Sequence, residues 1–225
     1  MVGMRAMINI IYEDNHLLVV EKPINIPVQA DSSNDKDLLT ILKEYIKKKY
    51  NKPGNVYLGL IHRLDRPVGG VMVFAKTSKC ASRLSEQIRK GDFKKIYYAV
   101  VEGDIFKSGL LKDKLLKDTK TNMVKVDDNG KESELYFDKI DYKNNLSLVK
   151  IDLHTGRSHQ IRVQFSSRGY PLYGDHRYNK NCPSNSQIAL FAEKISFSHP
   201  ITKEKVEYSL SLPDSYPFNM FNKSV

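Results

Sequence analysis

The chain has 225 residues, 40% hydrophobic and 28% charged, which suits one large globular domain or one domain with a small appendage. No apolar run approaches the roughly 18 residues of a membrane span, and no signal-peptide core follows the first charge. Cys80 and Cys182 lack the spacing of a zinc site or a disulfide framework, so free thiols in the cytoplasm are expected. The formal net charge of +10 attracts polyanions by phosphate neutralisation, although a basic protein without such a partner has the same composition.

Met1, Met4 and Met7 leave the start open. Residues 8–12 and 16–21 read as strands split by the turn at Glu13-Asp14-Asn15. Pro23 and Pro27 then impose an extended loop. Over 36–49 the apolar residues Leu38, Ile41, Leu42, Tyr45 and Ile46 recur at helical spacing. Lys47, Lys48 and Lys49 suit the C-terminal end of that helix, and Pro53-Gly54 breaks the chain after it. Residues 70–75 form an apolar strand, and 78–90 a helix with Ala81, Leu84 and Ile88 on one face and Gly91 as its stop. Further strands are predicted over 96–101, 123–126, 134–140, 146–153, 188–197 and 206–212. Asp128-Asn129-Gly130 reads as the turn of a hairpin, because Asn-Gly accepts positive φ. Ser158 is expected to cap a helix running to Arg168 and stopped by Gly169. Strands outnumber helices, which implies a mixed α/β or α+β domain around one large sheet.

There is no GxxxxGK[ST], GxGxxG, HExxH or GxSxG. Unusual residues gather in three segments. In His62-Arg63-Leu64-Asp65-Arg66-Pro67-Val68-Gly69-Gly70, a rigid turn feeds an apolar strand and sets Asp65 between two arginines. Such a carboxylate suits a nucleophile or an electrostatic group, and equally a structural ion pair. In Lys94-Lys95-Ile96-Tyr97-Tyr98, alternation allows only one tyrosine to face a site, where it could stack on a base or simply fill the core. In Leu153-His154-Thr155-Gly156-Arg157-Ser158-His159-Gln160-Ile161-Arg162, the half-buried Arg162 needs an anionic partner, for which Asp65 is the natural candidate. His154 and His159 could suggest a metal, but no third ligand is evident.

These segments resemble the RluA family of pseudouridine synthases. The family patterns HRLDxxxxG, KxYxAxVxG and LxTGRxHQIRxxxxxxGxPxxGDxxY are met in order, at 62–70, at Lys95 to Gly103, and at 153–178 with Gly169, Pro171, Gly174, Asp175 and Tyr178. The resemblance runs from about residue 9 to residue 212. It implies a large, curved, mainly antiparallel sheet with flanking helices, a central cleft, and no cofactor or metal. It implies Asp65 as the catalytic aspartate, Tyr97 against the target base and Arg162 paired with Asp65. Ile161 would help form an apolar wall, and Arg63 would fill the space left by the flipped nucleotide. His62, Arg157 and His159 are further candidates for substrate contact. The expected substrate is tRNA or rRNA rather than DNA, the expected state a monomer. One catalytic domain is expected over 9–215, with 1–8 and 216–225 as extensions and no S4-type RNA-binding domain. The chain departs from the family at Val68-Gly69-Gly70, at Asn25 where a glycine is usual, and at Gln164 where a histidine is common.

Overall fold

The computed structural model describes residues 8–31 and 33–221, so Met1, Met4 and Met7 and the ends of both expected extensions lie outside it. The elements in chain order are β1 (Ile10–Glu13), β2 (Leu17–Lys22), α1 (Leu38–Lys49), β3 (Gly59–Leu60), β4 (Gly69–Ala75) and α2 (Ser78–Lys90). There follow β5 (Lys94–Glu102), β6 (Ser108–Lys117), β7 (Val124–Val126), β8 (Lys131–Lys143) and β9 (Leu146–Leu153). The chain continues through α3 (Gln160–Ser166), β10 (Leu190–Ser198), β11 (Lys205–Ser209) and a single 3-10 turn, Phe218–Phe221. It divides into two compact units. The first is the chain through Phe93 with Lys194–Leu210, and the second is Lys94–Glu193 with the residues from Ser211. The residues of β10 are shared between them.

In the first unit β2 pairs with β1 and with β4, β3 pairs with β4, and β10 with β11, all antiparallel. All seven residues of β4 are buried, as its unbroken apolar run requires. The stripe on α2 packs Cys80 and Leu84 onto Leu17, Val19, Val71, Val73, Phe93, Ile195 and Phe197, with Ala81 and Ile88 at the margin. Local chemistry sets the helix ends. Thr77 Oγ1 accepts from the Cys80 N–H, and Gly91 closes α2 at φ 78°. Asp37 caps α1 by accepting from the Thr40 N–H, so that helix starts at Leu38, two residues later than its apolar pattern suggested. At the outer end of β4 the buried Glu13 carboxylate accepts from Tyr45 Oη, Lys49 Nζ, Tyr50 Oη and Lys76 Nζ at 2.9, 2.7, 2.7 and 2.8 Å. Burial pushes Glu13 upward, but these four bonds outweigh it and hold its pKa at about 2.

In the second unit the antiparallel order is β5-β9-β8-β6-β7. Leu135, Phe137, Ile151 and Phe165 of α3 form its centre, with the Phe137 and Phe165 rings edge to face at 5.1 Å. The expected hairpin around Asn129-Gly130 is corrected here. β7 and β8 do not pair with each other; both pair with β6, where Leu115 meets Val126 on one side and Lys131 on the other. Gly130 does not use a left-handed φ. It is needed for closeness, since a Cβ there would stand 2.4 Å from the Leu115 carbonyl carbon. A second correction concerns α3, which starts at Gln160 rather than at Ser158. His159 precedes it at φ 51° and gives no side-chain cap. Instead Gln160 Oε1 reaches back to accept from the Arg157 N–H at 3.0 Å. At the other end of this unit Phe218 and Phe221 are buried, so residues 218–221 pack as part of it.

Candidate active site

In the first unit the segment from His62 to Gly70 is shaped from below. The Val68 N–H donates to the Asp65 carbonyl at 3.0 Å, closing the turn that presents the half-buried Asp65. β2 pairs with β4 out to Lys22 opposite Gly70, which places that lysine under the turn. Lys22 is 1% exposed, and its Nζ donates to the carbonyls of Pro23, Arg66 and Val68 at 2.9, 3.0 and 2.8 Å. Three acceptors match the three hydrogens of an ammonium. Burial lowers the pKa of Lys22 to about 7; the Asp65 charge opposes that fall and the Arg66 charge adds to it. Asn25, in place of the usual glycine, sits at φ 63° and donates its N–H to the Arg66 carbonyl at 2.9 Å, so the departure keeps the left-handed backbone.

The remaining side chains of this segment diverge. Arg66 pairs with Asp35 and, at 3.8 Å, with Asp31. Arg63 is exposed. His62 Nε2 accepts from the Val73 N–H at 3.3 Å and its ring lies 5.5 Å from that of Phe93.

The second unit carries Tyr97, Arg157, His159, Ile161 and Arg162. Tyr97 is buried on β5 opposite Ile151. Ile161 and Arg162 are buried on α3, whereas Arg157 is exposed and gives its Nε to the Glu132 carbonyl at 2.8 Å. Within this unit the partner of Arg162 is Asp175: Nε donates to Oδ2 at 2.8 Å and Nη2 to Oδ1 at 2.6 Å. Two parallel charge-assisted bonds make a rigid fork. Asp175 Oδ1 also accepts from the N–H groups of Arg177 and Tyr178 at 3.0 and 3.3 Å, which fixes the carboxylate. The Tyr178 ring lies 5.2 Å from the guanidinium carbon as a cation–π support. Its hydroxyl accepts from the Val124 N–H at 3.0 Å and lies 2.7 Å from His159 Nδ1. Burial raises the pKa of Tyr178, so its hydroxyl stays protonated in this pair with His159. Sequence reasoning assigned no role to Asp175 or Tyr178, although both stand in the third pattern.

A polar chain braces the same helix. Thr155 Oγ1 donates to Gln160 Oε1 at 2.7 Å, Gln160 Nε2 to Gln164 Oε1 at 3.1 Å, and Gln164 Nε2 to Asp113 Oδ2 at 2.7 Å. Arg168 closes the chain with two bonds to Asp113, at 2.9 and 3.1 Å. The second hydrogens of the two amides go to the carbonyls of Glu134 and Leu111. Gln164, where the family has a histidine, is therefore fully satisfied and untitratable.

Of the two histidines raised as metal candidates, His154 bonds Glu134 and His159 bonds Tyr178. Among the described residues, no three His, Cys, Asp or Glu side chains gather as metal ligands would, and no helix is long and apolar enough to cross a membrane. The chemistry on offer is a carboxylate on a stapled turn in one unit, with a braced guanidinium and a buried tyrosine in the other.

Comparison with known proteins gives these residues a context. Residues 16–167 match the family described as RNA pseudouridylate synthase. The chain is 37% identical over 231 residues to ribosomal large subunit pseudouridine synthase C of Buchnera aphidicola subsp. Baizongia pistaciae (strain Bp), covering 96% of this chain and 70% of that protein. It is 31% identical over 221 residues to ribosomal large subunit pseudouridine synthase D of Zymomonas mobilis subsp. mobilis (strain ATCC 31821 / ZM4 / CP4), covering 92% and 69%. Further curated relatives are spanned over as little as 64% of their length. Human RNA pseudouridylate synthase domain containing 4 has the same fold, with a TM-score of 0.76 at 21% identity over 91% of this chain and 88% of that one.

Proposed function

This chain belongs to the RNA pseudouridylate synthase family, and from that premise we propose that it converts uridine to pseudouridine in the RNA of the large ribosomal subunit, with Asp65 as the catalytic carboxylate. The observation that carries the reading is the family match, which contains Asp65, Tyr97 and Arg162 together. The names of the curated relatives favour ribosomal RNA over transfer RNA. RNA rather than DNA, the cytoplasm and a monomeric working form complete the reading.

In the reaction the N1–C1′ bond breaks, the uracil turns, C5 bonds to C1′, the proton on C5 is lost to solvent and N1 takes one up. The base must first leave its stack, at a cost of a few kcal/mol, and be held in a pocket. Tyr97 packs against it, Ile161 walls the pocket, and Arg63 occupies the vacated stack. Arg162 is the basic residue of the site, and Asp175 and Tyr178 hold its guanidinium in place. Asp65 acts on the sugar or the base as nucleophile, or stabilises a cationic sugar. His62, Arg157 and His159 contact the surrounding RNA.

The test is tritium release from 23S-type rRNA transcripts and bulk tRNA carrying uridine labelled at C5. Wild type should release label from the ribosomal transcript, and Asp65→Asn should release it at least about 10³-fold more slowly while binding RNA equally well. Release by both proteins at one rate would remove Asp65 from the chemistry. Release from tRNA alone would overturn the choice of substrate.

A further inference from the structure

Lys95 is 6% exposed in the second unit, yet among the described residues it makes no hydrogen bond and no ion pair. The one carboxylate that acts on it is Asp152 of β9, and that action is through space without a contact. The other lysine buried among the described residues, Lys22, has an acceptor for each of its hydrogens. A largely buried ammonium without protein acceptors is costly, and such a group is completed when a ligand supplies them.

Three features indicate where the ligand lies. Strand alternation puts Lys95 on the same face of β5 as Tyr97. Beside it runs the loop between β9 and α3, where a Cβ on Gly156 would stand 3.6 Å from Nζ; the missing side chain leaves that approach open. The neighbouring Lys94 is exposed and on the other face, where a hydrated backbone phosphate would be met. The largely buried cation, whose Nζ keeps some access beside Gly156, suits an acceptor that arrives with the base.

Resting on the function proposed above, we propose that Lys95 is a catalytic residue whose ammonium donates to a carbonyl oxygen of the target uracil and stabilises the negative charge the base acquires during the reaction. Attack at C1′ or elimination breaks N1–C1′ with the electron pair passing to the ring, and addition to the base makes an enolate. Each route places negative charge on a uracil carbonyl oxygen. Lys95 keeps its proton throughout; the proton that leaves is the one on C5. Burial lowers the pKa of Lys95 to about 8, with the Asp152 charge opposing. The active ammonium is therefore present below that pH, and kcat/KM, which reports the free enzyme, falls as the pH rises through about 8.

The experiment is C5 tritium release by wild type, Lys95→Met and Lys95→Arg from pH 6 to 10, with RNA affinity measured by filter binding. Lys95→Met should lower kcat about 10²- to 10³-fold, the loss seen when one preorganised donor is removed, with RNA affinity within about twofold of wild type. Lys95→Arg should keep more of the rate and lose the fall near pH 8, because guanidinium does not titrate there. Any fall due to Lys22 would persist in all three proteins, so the difference between the wild-type and Lys95→Arg profiles isolates Lys95. Wild-type kcat in Lys95→Met overturns the inference alone, as does a loss of RNA affinity at unchanged kcat, which would make Lys95 a phosphate contact. An alkaline profile of Lys95→Arg that coincides with that of wild type overturns it also. Absence of release by wild type from every transcript overturns it together with the proposed function.

Discussion

The turn that presents Asp65 and the helix that carries Arg162 are held in different ways. Beneath the turn one lysine, Lys22, reaches three main-chain carbonyls. Around the helix the grip is by side chains: Asp175 and Tyr178 on Arg162, and the chain from Thr155 through Gln160 and Gln164 to Asp113 and Arg168. The first design ignores what the turn residues are and depends on one anchor. The second depends on several residue identities but shares the task among them. A carbonyl anchor leaves Arg66 free to turn its side chain toward Asp31 and Asp35. The helix cannot lose a member without stranding a buried neighbour.

The sharpest way to break this contrast is Lys22→Met, which fills the same space with no donor. It should lower the stability of the first unit by about 3 kcal/mol, because buried carbonyls are left unpaired, and should slow tritium release with it. Urea unfolding read alongside activity would decide; a stable and fully active Lys22→Met would mean that the turn holds itself. Next in size is Gln164→Leu, expected to cost about 2 kcal/mol by stranding Gln160 and Asp113, with hydrogen exchange rising first in residues 155–168. Faster exchange confined to the substituted position would show that the links act singly rather than as a chain.

The third prediction sharpens the comparison at the far end of β4, where the first unit does use side chains. The Glu13 pKa is held at about 2, below its ordinary value of 4.5. A depressed carboxylate contributes stability that is fully present above pH 4.5 and is lost as the pH falls toward 2. Its share should be about 1–2 kcal/mol after allowing for partial solvent access. Urea midpoints of wild type and Glu13→Gln should converge between pH 4.5 and 2.5. Parallel curves would show that the tyrosines and lysines hold β1 without the charge.

Much of this architecture was legible because the signals were local. The stripe of α2 and its Thr77 and Gly91 caps set both ends of that helix, and the Leu146–Leu153 strand ends where its pattern ends. β6 was not read, since Lys112, Asp113 and Lys114 interrupt two Leu-Leu pairs and mask an alternation that buries only Leu111 and Leu115. Gly130 was read for its φ when its task is to pass close to a strand far away in sequence. Ser158 looked like a cap, but the left-handed His159 displaced the helix start. Asp65, Tyr97 and Arg162 stood out by their patterns. The anchors did not, because the use of Lys22 depends on carbonyls 44 and 46 residues away, and no local pattern records such a pairing.

The division of β10 bears on how the protein is made. The core of the first unit needs Ile195 and Phe197, yet the whole of residues 94–193 is synthesised before them. On the ribosome the segment bearing Asp65 must therefore wait, with Val71 and Val73 lacking two of their final neighbours, while the second unit has all but its last residues available to fold. The portion translated first thus stays incomplete through the whole synthesis of residues 94–193, and its interval of exposure lengthens with every residue of that insertion.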